Sequence, residues 1–202
     1  MRKTLLESFT SDPLTERAPE PDEASLAELA RAVNRAARAR LGHSLSIRQV
    51  DAGSCNGCEL EAHALANPYY NIEGLGIKYV ASPRHADALM VTGPVSKHMA
   101  IALVRTYDAM PEPKLVIAVG QCACDGGIFG ESYATIGPLA RILPVDVAIP
   151  GCPPSPTALL QGILAAIRAW APPIAPAEPT LARTAALAGS ATHSSMPERS
   201  DR

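Results

Sequence analysis

Between residues 46 and 151, short aliphatic runs alternate with stretches of helical period, and few architectures accept such a pattern. The strand candidates are SIRQVD (46–51), IKYVAS (77–82), ALMVTG (88–93), KLVIAVG (114–120) and VDVAIPG (145–151). Helical candidates separate them at 59–67 and 97–110, the second stacking Met99, Leu103 and Tyr107 at four-residue spacing. A last helix at 156–170 aligns Leu160, Ile163, Leu164 and Ile167, and Pro153, Pro154 and Pro156 stand where a helix must begin. Short β-type runs divided by helices are the sign of parallel βαβ units. The expected fold class is therefore α/β: a doubly wound, flavodoxin-like parallel sheet with helices on both faces.

The flanks differ from this centre. Residues 22–42 read as an amphipathic helix with Leu26, Leu29, Ala30, Val33, Ala37 and Leu41 on one face, a Ser25/Glu28 capping box and Gly42 at its end. Arg31, Arg35 and Arg38 line the opposite side, as a solvated face or as a docking face for another subunit. Residues 1–21, with prolines and mixed charge, are expected to be a mobile arm, and 171–202, rich in Ala, Pro and Ser, a disordered tail.

Composition removes several functions. Lys+Arg number 18 against Asp+Glu 20, so no basic field exists to draw nucleic acid. Aromatic residues make up only 4%, and the core is expected to be aliphatic. The opening MRKTLLESFTSDPLTER lacks the apolar run of a secretory signal, which points to the cytoplasm. The longest apolar stretch, ALLQGILAAIRAWAPPIA, is broken by Gln161, Arg168 and prolines, so membrane association is expected only through partner subunits.

Five cysteines in a cytoplasmic chain read better as thiols or metal ligands than as a disulfide framework. Cys55 and Cys58 form a C-x-x-C pair, and Cys122 and Cys152 arrive singly. Each group falls just past the carboxyl end of an expected strand: Cys55 after SIRQVD, Cys122 after LVIAVG, Cys152 after VDVAIP. In a parallel sheet those ends share one edge, where open α/β sheets place their ligands. The loops GSCNGCE, GQCACDGG and PGCPPSP bring the backbone close enough for amide groups to face the sulfides of a cluster. Structural zinc sites usually come as two short C-x-x-C knuckles, so an iron-sulfur centre fits better than zinc or unrelated buried thiols. Cys122 follows its strand directly and is preferred over Cys124, which reads as a small half-buried residue.

At GSCNGCELE, SPRHADALMVTGPVS, GQCACDGGIFG and PGCPPSP, the chain resembles the family that contains the 20 kDa iron-sulfur subunit of respiratory complex I and the small subunits of nickel-iron hydrogenases. The resemblance covers residues 45–168. In complex I the first two ligands are adjacent cysteines, whereas Cys55 and Cys58 have the hydrogenase-type spacing. Further clusters and an export signal, found in periplasmic types, are missing. The chain is thus most similar to the small subunit of membrane-associated, energy-converting hydrogenases of the formate hydrogenlyase type. The resemblance implies one 4Fe-4S cluster on Cys55, Cys58, Cys122 and Cys152 within an iron-sulfur domain at 43–170. It implies electron exchange with the nickel-iron site of a large subunit, and onward transfer to a ferredoxin-like iron-sulfur subunit. Integral membrane subunits would hold the complex at the cytoplasmic face.

The alternative within the family is a quinone-reducing subunit of a complex-I-like NADH:quinone oxidoreductase. A zinc-stabilised binding module and a flavin binder are readings from other classes, and the latter lacks a phosphate loop after the first strand. Among other residues, Glu59 and Glu61 read as exposed helix-start carboxylates or as a proton or docking contact. His63 reads as a helix-surface residue, and Arg84 and His85 as residues that could place a cation beside the cluster.

Overall fold

The computed structural model describes residues 23–74 and 76–169. The expected arm at 1–21, the expected tail at 171–202 and the side chain of Ser25 lie outside the described residues. Helix α1 (Glu23–Leu41) comes first, followed by β1 (Leu45–Asp51), α2 (Gly57–Ala64), β2 (Ile77–Tyr79), β3 (Ala88–Thr92) and β4 (Val95–Ser96). Next come α3 (Lys97–Asp108), β5 (Leu115–Val119), α4 (Gln121–Asp125), β6 (Thr135–Gly137), β7 (Val147–Ile149) and α5 (Pro156–Ala169).

Five strands form one sheet in the order β2-β1-β3-β5-β7, and each neighbouring pair is parallel. Counted among themselves, these strands follow the 2-1-3-4-5 order of doubly wound flavodoxin-like sheets, with the switch point between β1 and β3. The central strands β3 and β5 are buried at every position. Because side chains alternate across the sheet, Ala88, Met90, Leu115, Ile117 and Val119 face one layer, formed with α1, α2 and α5. Leu89, Val91, Val116 and Ala118 face the other, formed with α3 and the turn around Leu139. The largest fully buried side chains are Leu, Ile and Met throughout. The core is aliphatic, as the composition requires.

Helix α1 packs Val33 and Ala37 into the first layer, buries Ala30 as well, and leaves Arg31, Arg35 and Arg38 exposed. Three features depart from the sequence expectation. Strand β2 stops at Tyr79 instead of residue 82, because Pro83 at the head of a 3-10 turn, Pro83–His85, redirects the chain. A second sheet pairs β4 with β6, antiparallel, in segments too short to show a period. The segment after β5, expected as loop, begins as helix α4.

Ile117 lies at the middle of β5 with no exposed surface. Ile117→Ala should cost about 2–5 kcal/mol, read as a lower denaturant midpoint at unchanged slope. Arg35→Ala, on the exposed side of α1, should stay within about 0.5 kcal/mol.

Candidate metal centre

Register sets the site. Asp51 pairs with Thr92, Thr92 with Val119, and Val119 with Ile149, so the last residues of four neighbouring strands stand in one row. Cysteines placed three or four residues beyond that row necessarily leave from the same edge.

The first loop is shaped by its own side chains. Asp51 Oδ1 accepts hydrogen bonds from the N–H groups of Gly53 and Ser54, both at 2.8 Å. Ala52 N–H donates to Thr92 O at 3.0 Å, and Ser96 N–H donates to Ala52 O at 2.8 Å, pinning the loop at the switch point. Asn56 then takes φ of 73°, a conformation that asparagine tolerates, and its N–H donates to Ser54 Oγ at 3.1 Å. Cys55 lies just before this bend and Cys58 in the first turn of α2.

The other two loops are laced together. Gly120 N–H donates to Ile149 O at 2.8 Å, and Gln121 N–H donates to Gly151 O at 2.7 Å. This places Cys122, in the first turn of α4, beside the loop that carries Cys152. Gly120 has φ of 86°, and a Cβ there would stand 2.5 Å from Cys58 Sγ. The sulfur of the first loop therefore packs directly on the backbone of the second. At Gly127 a Cβ would stand 2.7 Å from Cys122 Sγ, so the chain after α4 also folds back onto a thiol.

The thiols act on one another. Burial pushes Cys58 up to about 12, with further upward pressure from the charges of Glu59, Cys122, Cys55 and Cys152. Cys122 is raised first by burial, then by Cys152, Cys55 and Asp125, against a lowering backbone hydrogen bond. Every charge acting on these two sulfurs is negative. Four thiolates can coexist there only around positive charge, which is what a bound metal supplies. Among the described residues, no three or more His, Cys, Asp or Glu close tightly enough to hold a single ion. Four thiols gathered from three loops are a donor set that suits a bound metal group with thiolate ligands.

Cys124 does not join them. Its thiol donates to Ala118 O at 3.8 Å and packs with the second core layer, whereas Cys58 packs with the first. Other residues depart from their sequence reading. Glu59, expected on the surface, is only 5% exposed, and neither carboxylate oxygen has a hydrogen-bond partner among the described residues. Arg84 and His85 are exposed in the turn after β2, and neither is among the charges felt by Cys58 and Cys122. His63 is exposed on α2, and Glu61 is half-buried. Sequence reasoning missed the loop after α4, where Ile128 is 91% and Tyr133 93% exposed beside a half-exposed Phe129. Large apolar residues among glycines in GGIFGESY were the available signal.

A flavodoxin-like sheet with cysteines at the carboxyl edge of three strands defines a class of metal-binding electron carriers. The model of the NADH ubiquinone oxidoreductase 20 Kd subunit family matches residues 55–166, and the chain belongs to this family. It is 48% identical over 127 residues to the probable membrane-bound hydrogenase subunit mbhJ of Pyrococcus furiosus, covering 63% of this chain and 76% of that protein. It is 44% identical over 128 residues to formate hydrogenlyase subunit 7 of Escherichia coli, covering 63% of this chain and half of that protein. Among solved structures it is similar to a chain of the membrane-bound sulfane sulfur reductase, an archaeal respiratory membrane complex. That match has a TM-score of 0.56 and 34% identity, and covers 68% of this chain and 74% of the other. The chain is thus an oxidoreductase-complex subunit of the hydrogenase and complex-I-like kind. No helix among the described residues is long and apolar enough to cross a membrane.

Gly120→Ala should displace Cys58 and lower the iron bound per chain. Gly130→Ala, with a similar positive φ but no atom within 4 Å of the new Cβ, should leave iron unchanged. Iron and sulfide analysis of the two variants checks this.

Proposed function

We propose that this chain is the electron-carrying small subunit of a nickel-iron hydrogenase complex and holds one 4Fe-4S cluster on Cys55, Cys58, Cys122 and Cys152. The observation that supports it most is the convergence of four cysteines from three strand-end loops on one sheet edge, with the Cys124 thiol on Ala118 O. When bound, the cluster takes up and releases single electrons. The chain's own residues fix position and surroundings. Asp51 and the Gly120–Ile149 hydrogen bond hold the loops, and the backbone at Gly120 and Gly127 lies against two of the sulfurs.

The rest of the reading concerns partners. Ile128 and Tyr133 project from a loop that Arg141 ties down by donating to Glu131 and to Ile136 O. A tethered loop with bare apolar tips is suited to burial against another protein, since each aromatic can remove about 150–250 Å² from contact with water. The loop follows Cys122, so the subunit that docks there covers the cluster. We assign that role to a large subunit bearing the nickel-iron site, with a ferredoxin-like iron-sulfur subunit next in line. Membrane subunits would hold the complex peripherally on the cytoplasmic face. The family description also admits a second reading, a quinone-reducing subunit of a complex-I-like enzyme, in which the covering subunit holds no nickel.

In the anaerobically purified complex, alanine at Cys55, Cys58, Cys122 or Cys152 should remove or convert one cluster, a loss of about four irons and four sulfides, while Cys124→Ala retains its signal on reduction. Stoichiometric zinc on this chain would end the iron-sulfur reading. Nickel in the co-purifying large subunit decides between hydrogenase and quinone reductase. Ile128→Arg should weaken docking at least about tenfold without loss of iron, checked by pull-down. Gly127 is unsuitable for this test, because any side chain there meets Cys122.

A further inference from the structure

Beside the cysteines lies a cleft of about 430 Å³ lined by Arg48, Gln49, Asp51, Glu59, His63 and Tyr79. It exists because β2 stops short: the ladder between β1 and β2 ends at Ile47 and Tyr79, whereas β1 runs on to Asp51. Among the described residues, two buried polar groups in its wall have no hydrogen-bond partner, the Glu59 carboxylate and Arg48 Nε. Tyr79 is not available to either, since its hydroxyl donates to Ala62 O at 3.2 Å. Asp51 Oδ1 is already occupied by two backbone N–H groups.

A buried carboxylate without a partner is costly, and each such group in a native protein calls for an explanation, such as a catalytic role, a bound ion or a partner group. Two carboxylates against one guanidinium leave the lining with one uncompensated negative charge. Leu60, next to Glu59 on α2, is 61% exposed. An exposed apolar side chain beside a desolvated charge has the anatomy of a protein interface.

We propose that this cleft receives a basic side chain, lysine or arginine, from a neighbouring subunit, paired with Glu59, while an acceptor on the same segment meets Arg48 Nε. This deepens the reading of the chain as a complex subunit and rests on it. Glu59 is a docking residue here, acting on assembly and touching no reacting atom.

The test uses the assembled complex carrying Glu59→Gln, which keeps shape and removes charge. Association of this chain with its neighbours, measured at fixed salt, should weaken at least about tenfold, because a partner's buried charge loses its counter-ion. Glu59→Lys should weaken it further, and iron per chain should stay at the wild-type value in both. Unchanged association of the Gln variant would overturn the proposal. Weakened association together with iron loss would also overturn it, because Glu59 would then be serving the cluster. Normal association with lost turnover toward a soluble electron acceptor would assign the cleft to a small molecule and overturn it as well. Wild-type complex without iron on this chain would instead sink the electron-carrier reading, independently of Glu59.

Discussion

Parallel pairing at one fixed register is the constraint from which the site follows. Asp51, Thr92, Val119 and Ile149 form a level row across four strands, and every loop after that row leaves in the same direction. Residues far apart in sequence are thereby delivered to one edge without any long-range contact of their own. A slip of one residue in any strand would turn its core face to the wrong layer, so the two aliphatic layers that bury β3 and β5 also keep the cysteines in place. Packing and site geometry are one specification.

The edge so built is electrostatically one-sided. Burial and neighbouring anions both raise the Cys58 and Cys122 thiols, and no cation offsets them. A structural role would be served as well by neutral apolar residues, and an exposed thiol would be easier to ionise. What the arrangement suits is a centre of positive charge introduced between the loops, with the thiols as its ligands. Close backbone contact at Gly120 and Gly127 has the same logic, because a side chain at either position would occupy space belonging to a sulfur.

Much of this was legible in the sequence. Aliphatic runs gave the five parallel strands, and the offset of each cysteine from its strand end gave the shared edge. Cys122 was preferred over Cys124 because it follows its strand directly, and the Cys124 thiol lies on Ala118 O. The illegible parts have physical reasons. Strands β4 and β6, two and three residues long, carry no period, and the five-residue α4 is too short to show one. Glu59 looked exposed because first-turn carboxylates commonly are. Its burial is a tertiary fact, set by how α2 packs in the fold rather than by any pattern near residue 59. Arg84 looked close to the cysteines because it follows a strand, yet β2 is the outermost strand on that side and its loop does not bring the cation to them.

The early end of β2 also joins the two halves of the molecule's surface. Helix α2 carries Cys58 in its first turn at the cysteine edge, and the next residue, Glu59, lines the cleft that β2 leaves open. The charge on Glu59 is already felt at Cys58, second only to burial. Because both residues sit in the first turn of one short helix, a charge brought into the cleft would lie close to the Cys58 thiol as well.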